Sequence, residues 1–242
     1  MDNKMFKSEF HVHTRASKDS ILPFWLILLI AKLKKIDTIA ITDHNEIWGA
    51  QKCKEKFKKH NIEVIVGEEI FTNKGEIIGL NLKNKIEPDL SPEQTIKEIR
   101  NQNGVVYVPH PYDEKRYKTV LVESEIEKNR NEIDFIEVHN GRNISKKFDV
   151  KQNEIAEKYK LCKIVGSDAH TFFELGRNNV LTENKITEQT ILENYKNVNF
   201  VQKECIGFAH KWTKLARILT MIGKGDFRGL FRIINKKCRR KK

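Results

Sequence analysis

Seven short apolar runs punctuate the chain, at Phe6–His13, Thr38–Thr42, Ile62–Val66, Ile77–Leu82, Val105–Val108, Phe135–Val138 and Lys163–Val165. Between and after them lie stretches with helical periodicity, at Leu22–Lys35, Ile47–His60, Pro92–Gln102, Val150–Tyr159 and Thr187–Tyr195. Such alternation predicts parallel strands joined by right-handed crossovers. About seven βα units predict a closed or nearly closed barrel of the TIM type. Ser91-Pro92-Glu93 gives one helix a cap residue, an N1 proline and an early acid, and Gly104 closes it. The rival is a doubly wound open sheet, which is disfavoured because no G-x-G-x-x-G turn follows the first run.

Most of these runs close on metal-binding residue types: His11-Val12-His13, Thr42-Asp43-His44, Gly67-Glu68-Glu69, Pro109-His110-Pro111 and Gly166-Ser167-Asp168-Ala169-His170. In a parallel barrel the C-terminal strand ends share one face, where catalytic groups sit. Residues at i and i+2 on a strand point the same way. His11 with His13, and Asp168 with His170, can each grip a site from one side. Imidazole and carboxylate together suit zinc, manganese or iron. One catalytic zinc needs about three protein ligands, so this set is large enough for two or three divalent ions. Clustered ions suit phosphoryl transfer, because they generate a hydroxide nucleophile and neutralise charge on the attacked and leaving oxygens. Any one of these residues alone would be read as a cap or turn former. Their recurrence as H-x-H, D-H, E, H-P and D-x-H is what points to metal.

The motifs FHVHTRASKDS, AITDHNEI, VGEEI, GEIIGL, VPHPYD, IEVHNGR and VGSDAH stand in an order that resembles the PHP (polymerase and histidinol phosphatase) family of metal-dependent phosphoesterases, over nearly all of residues 6–182. The resemblance implies a distorted seven-stranded (β/α)7 barrel holding up to three metals. It implies His11, His13, Asp19, His44, Glu69, His110, Asp168 and His170 as ligands, with Glu69 rather than Glu68 as the bridging carboxylate. Glu69, Asp168 and His170 are the expected catalytic residues. The chain departs from the family at Glu76, where many members carry histidine. A carboxylate there favours manganese or magnesium more than imidazole would. His139, in I-E-V-H-N, is a further candidate because the pleat sets it on the side of Glu137.

A phosphate substrate needs additional positive groups. Arg116 is the first candidate, then Arg142 in N-G-R and Arg177 in L-G-R, since the guanidinium fork suits phosphate oxygens. Stand-alone family members of this layout resemble 5′–3′ exonucleases and 3′,5′-bisphosphate nucleotide phosphatases, which implies a nucleotide or short oligonucleotide substrate. The alternatives are histidinol phosphate or another small phosphomonoester, and a vestigial metal-binding scaffold.

Charge divides the chain in two. The formal net charge is +12, yet from His210 onward twelve Lys or Arg face a single acid, Asp226. The expected division is a barrel over 1–204 and a basic helical extension over 205–242. In the extension Trp212, Leu215, Ile218, Leu219 and Ile222 recur at helical spacing, as do Phe227, Leu230, Phe231 and Ile234. Such a segment can pack on the barrel, lie on an anionic membrane surface or hold nucleic-acid phosphates. The apolar run Ile21–Ala31 is too short to span a bilayer. The opening MDNKMFKSEF is too polar for a secretion signal, and the four cysteines lie far apart with no C-x-x-C pair, so a reducing cytoplasm is expected.

Overall fold

The structure, a computed structural model, describes residues 5–209, 211–215 and 218. In chain order the elements are β1 (Phe6–Val12), α1 (Phe24–Leu33), β2 (Thr38–His44), α2 (Trp48–Phe57), β3 (Glu63–Thr72), β4 (Gly75–Leu80), α3 (Pro92–Asn101), β5 (Val105–Val108), α4 (Glu123–Asn129), β6 (Phe135–Asn140), α5 (Lys146–Tyr159), β7 (Cys162–Gly166), β8 (Asn179–Thr182) and β9 (Asn199–Val201). All nine strands form one sheet in the order β7-β6-β5-β4-β3-β2-β1-β8-β9.

The sheet curls into a nearly closed barrel because β1 divides its partners along its length. Its first residues pair antiparallel with β8, Phe6 opposite Thr182 and Ser8 opposite Val180. Its far end turns to the segment after β7, where the His13 N–H donates to Ala169 O at 2.9 Å and the Ala169 N–H to His11 O at 3.1 Å. That short parallel bridge closes β1–β7 at the end where the strand-end motifs lie.

The expected uniform run of seven parallel βα units is corrected in three places. β4 is antiparallel to both β3 and β5. β3 and β4 form a hairpin with only Asn73 and Lys74 between them. The charged Glu68-Glu69 pair reads as the end of a strand, whereas β3 continues through it to Thr72 because both side chains are buried. Thr187–Tyr195 forms turns rather than a helix, and β8 and β9 add antiparallel strands outside the barrel circuit. α4 shows no apolar stripe in the sequence, because ESEIEKN buries one apolar side chain, Ile126.

Local signals held where capping chemistry was present. Ser91 Oγ accepts from the Gln94 N–H while the Gln94 side chain reaches back to the Ser91 N–H, a reciprocal capping box on α3. β4, β5 and β6 are buried along their whole length, as strands enclosed by helices outside and packed side chains inside must be. No described helix is long and apolar enough to cross a membrane. Of the basic extension, residues 211–215 are helical and Leu219, Ile222 and the stretch from Phe227 to Ile234 lie outside the described residues.

Candidate metal centre

The nine residues expected as ligands meet at the C-terminal mouth of the barrel. His11 and His13 come from the end of β1, His44 from β2, Glu69 from β3 and Glu76 from β4. The hairpin register sets Phe71 opposite Glu76 and Glu69 opposite Ile78, so Glu69, Phe71 and Glu76 share the inner face. His110, Asp168 and His170 follow β5 and β7, and Asp19 lies on the loop after β1. Two of these residues hold a left-handed backbone, His110 at φ 28° and Asp168 at φ 52°. Such conformations persist in non-glycine residues where the surroundings over-determine them, as at functional sites.

Glu69 sits at the centre. Its Oε2 is 3.1 Å from His44 Nδ1, 3.2 Å from His13 Nε2 and 3.5 Å from His11 Nε2. Its Oε1 is 3.1 Å from His110 Nε2. Asp168 Oδ1 lies 3.5 Å from His13 Nε2, 3.8 Å from His11 Nε2 and 3.4 Å from His170 Nδ1. Asp19 bridges the outer edge, 3.6 Å from His44 Nε2 and 3.5 Å from His170 Nε2. Glu76 faces His44 at 3.7 Å and His110 at 3.4 Å.

Whether this set suits metal can be judged from its buried polar atoms. His11 Nε2, His13 Nε2, His44 Nδ1, Asp19 Oδ1 and Glu69 Oε2 are all buried without a hydrogen-bond partner. Each is an atom that faces the shared centre. Three overlapping groups, His13-His44-His170, His11-His13-Glu69 and His44-Glu69-Glu76, bring one ligand atom from each member within 4.8 Å of one another. Orphaned buried polar atoms are costly and call for an ion or water. The set therefore fits divalent metal, to which its mixed imidazole and carboxylate donors are suited.

Outer contacts fix which imidazole nitrogen is free. His11 Nδ1 is 3.2 Å from Glu137 Oε1, so it donates there and leaves the Nε2 lone pair to the centre. Ser17 Oγ spends its proton on Asp43 at 2.9 Å and accepts from the His44 N–H at 3.0 Å. His13 Nδ1, 3.2 Å from the same oxygen, must then be the donor, which again frees Nε2. Asp43 accepts from Thr14 and Ser17, ordering the turn that carries Asp19. For His170, Nδ1 is 2.9 Å from the Asp168 carbonyl, which frees Nε2, and 3.0 Å from Arg142 Nη1, which favours the other tautomer.

Charge follows the same geometry. Burial opposes protonation of His13 and His44, but Asp168 and Glu69 around the first, and Glu69 and Asp19 around the second, push both up to about 9. Burial and then the Glu69 charge raise Glu76 well above the carboxylate range, while the surrounding histidines hold Glu69 well below it. Without a cation the two carboxylates cannot both ionise. Glu68, on the opposite side of the pleat, accepts from the Ile86 N–H at 2.9 Å and is pushed by burial to about 8, so it takes no part in the centre.

The cleft above the centre holds about 390 Å³ and is lined by Phe71, Lys115, Arg116, Tyr117, Lys118, Thr119 and Arg142 together with seven of the nine residues expected as ligands. Arg116 reaches in from the loop after His110. Its Nε contacts Asp113 at 2.7 Å, Nη1 contacts Asp168 at 2.5 Å and Nη2 contacts Asn140 at 3.2 Å. Arg142 lies at the rim, with Nη2 2.6 Å from Thr213 Oγ1 and Nε 3.3 Å from Glu174 Oε1. Arg177 is elsewhere, donating to the Glu204 carbonyl at 3.0 Å and lining no part of the cleft. His139 also stays out. A register shift between Glu137 and His139 turns its ring to Asp149, Asn178 and the Lys203 carbonyl.

Glu137 is the site residue that residue-type reasoning passed over. It is fully buried and ionised, since His11 and then His110 lower its pKa against the effect of burial. It accepts from His11 Nδ1, Tyr107 Oη, the His110 N–H at 2.7 Å and Asn140 Nδ2 at 2.8 Å. An acid on β6 flanked by Tyr107 on β5 and His110 just beyond it was the available signal. The bulge that separates it from His139 was not visible.

The sequence model of the PHP domain matches residues 9–198. Two uncharacterized proteins of Methanocaldococcus jannaschii are similar: one is 43% identical over 118 residues, covering 44% of this chain and 68% of that protein. The other is 37% identical over 175 residues, covering 70% of this chain and 68% of that protein. Among solved structures, a two-domain protein from Bacteroides vulgatus containing a predicted PHP-like metal-dependent phosphoesterase superposes with a TM-score of 0.67 at 19% identity. That superposition covers 84% of this chain and 66% of the other, and it shows a shared fold. With the domain matched across its barrel and the strand-end histidines and carboxylates gathered at one mouth, the chain belongs to the PHP domain family of metal-dependent phosphoesterases.

Proposed function

We propose that this protein hydrolyses phosphoesters of nucleotides or short oligonucleotides with the help of two or three divalent ions. The observation that carries the reading is the stack of two features: five orphaned buried ligand atoms, and directly above them a cleft lined by Lys115, Arg116, Lys118 and Arg142. When bound, divalent ions supply a nucleophile at neutral pH and neutralise charge on the attacked phosphate. The nine residues from His11 to His170 would hold them, with Glu69 reaching four histidines through its two oxygens. Arg116 orients Asp168 and keeps part of its guanidinium exposed to the cleft, where it can meet a phosphate oxygen. Burial, His13 and Arg142 hold His170 below its usual range, so it enters the site neutral, able to ligate or to accept a proton. Phe71 and Tyr117 add aromatic faces beside the charged wall, which favours a substrate with a base over a bare phosphomonoester.

The test is elemental analysis of the purified protein, followed by Mn²⁺- and Zn²⁺-supported assays on oligonucleotides, 3′,5′-bisphosphate nucleotides and histidinol phosphate. Metal-dependent release of phosphate or mononucleotide from the first two is expected. Turnover of histidinol phosphate alone would replace the substrate class, and metal binding without turnover of any would point to a scaffold.

A further inference from the structure

α1 carries apolar residues on all sides, and only one side is used by the core. Phe24, Ile27, Ile30 and Ala31 are buried. On the opposite side Trp25, Leu29 and Leu33 follow at helical spacing and are exposed by 65%, 46% and 73%. A helix that is apolar all round is normally enclosed, and this one is not.

The stripe does not stand alone. The loop 170–176 runs beside α1, tied at one end by the Ile21 N–H to His170 O at 3.3 Å and at the other by Lys34 Nζ to Leu175 O at 2.5 Å. That loop presents Phe172, 51% exposed, next to Phe173 at 4.3 Å between ring centroids. Phe173 in turn supports the C-terminal helix through Phe208 at 5.2 Å and Trp212 at 6.2 Å. Phe208, Trp212 and Leu215 remain exposed. Seven of the fourteen large apolar side chains exposed among the described residues thus lie on α1, this loop and the segment from Phe208 to Leu215. Monomeric soluble proteins seldom show so much apolar surface in one place without a use for it.

The charge around the patch names the partner. Arg15, Lys32, Lys35, Lys211 and Lys214 are exposed about it. The chain then continues into the segment that holds twelve Lys or Arg against Asp226 from His210 onward. Exposed tryptophan and leucine edged by lysine is the chemistry of an interfacial anchor on anionic lipid, in which apolar side chains enter the acyl boundary and basic ones meet the headgroups. We propose that the face built from α1, Phe172 and the C-terminal helix docks on an anionic membrane surface. The contact of Arg142 with Thr213 would then hold the membrane-facing helix against the rim of the catalytic cleft.

The experiment uses the full chain, loaded with metal, in flotation with vesicles of phosphatidylcholine and of phosphatidylcholine doped with phosphatidylglycerol. Binding to the anionic vesicles only, with a blue shift of tryptophan emission, is the expected result. Trp25→Ala with Leu29→Ser should lower the partition coefficient about tenfold or more, since burial of both side chains is lost. Lys211→Glu with Lys214→Glu should lower it similarly through the headgroup attraction. Neither pair touches the metal centre, so metal content and hydrolysis serve as the control for folding. No binding to anionic vesicles would overturn the proposal. So would a dimer in sedimentation that Trp25→Ala with Leu29→Ser dissolves, or loss of polynucleotide binding in that variant without any vesicle binding.

Discussion

Arg116 Nη1 lies 2.5 Å from Asp168 Oδ2, while Oδ1 of the same carboxylate faces His11, His13 and His170. The arginine therefore fixes which oxygen of Asp168 is left for metal. Its own charge is secured, because Asp168 and Asp113 outweigh the effect of burial. Removal of an outer partner of a metal ligand typically costs about 10–100-fold in metal affinity or activity. Arg116→Ala should lose activity in that range. Arg116→Lys should recover only part of it, because one ammonium cannot serve Asp113, Asp168 and Asn140 together. Activity within about twofold of the parent in both variants would remove Arg116 from the site.

Glu137 offers a second handle on the centre without touching a proposed ion. Its four donors occupy the acceptor capacity of an ionised carboxylate. Glu137→Gln puts an amide NH₂ where one or two of those donors now point. The His11 tautomer is then no longer imposed, and metal content measured by elemental analysis should fall, with affinity down about 10–100-fold. Unchanged stoichiometry and affinity would show that His11 orients itself.

The histidines and acids gathered at the mouth were legible because most of them, such as His11, His13, His44, Glu76, His110 and Asp168, stand within a residue or two of a strand end, whatever the strand direction. That is why the antiparallel β4 did not upset the ligand set: Glu76 reaches the mouth from the start of its strand, just as Glu69 reaches it along β3. What the sequence hid was geometry created by irregularity. The bulge in β6 turns His139 outward and leaves Glu137 inward, and the closure of β1 onto Ala169 depends on long-range pairing. Arg142 and Arg177 look alike in N-G-R and L-G-R, yet only the first lines the cleft. Their difference is set by the path of the chain after β7, which no local pattern encodes.

Gly166 marks how tightly that geometry is built. A Cβ there would stand 2.3 Å from Glu137 Oε1, 2.6 Å from His11 Cβ and 3.0 Å from Tyr107 Oη. Gly166→Ala should therefore cost about 1–3 kcal/mol of stability, the usual range for overpacking a tight core, and lower metal content as well. A variant with parental thermal midpoint and full metal loading would contradict the close approach of β6 and β7 here.

Glu9 supplies a pH dependence of stability. Burial pushes its carboxyl from 4.5 up to about 7, against the lowering effect of Ser167 Oγ and the Ser167 and Gly176 N–H donors. The folded state thus holds a proton that the unfolded state releases earlier. The stabilising share of neutral Glu9 is fully present below pH 4.5 and is lost as pH rises through about 7. The span corresponds to a cost on the order of 3 kcal/mol. Chelator-treated protein should show a thermal midpoint that declines over this window, and Glu9→Gln should flatten the decline. An identical slope in parent and variant would assign the pH dependence to other groups.

Glu76 is the position where the choice of metal is open to experiment. It is buried, and in the metal-free protein the Glu69 charge and burial keep it protonated. A cation bound between them would release that proton, so the pair gains most from a hard, charge-dense ion. Glu76→His removes the like-charge conflict and substitutes a softer donor that faces the same His44 and His110 side of the centre. Two outcomes should follow together. The metal-free variant should melt higher than the metal-free parent at neutral pH, because the parent must take up a proton at Glu76 on folding and a neutral imidazole need not. In competition, the loaded variant should shift from manganese toward zinc by about tenfold or more, which elemental analysis after equilibration with both ions would read directly. If the variant instead kept the parent's manganese-to-zinc ratio while melting higher, Glu76 would lie beside the ions and not among their ligands.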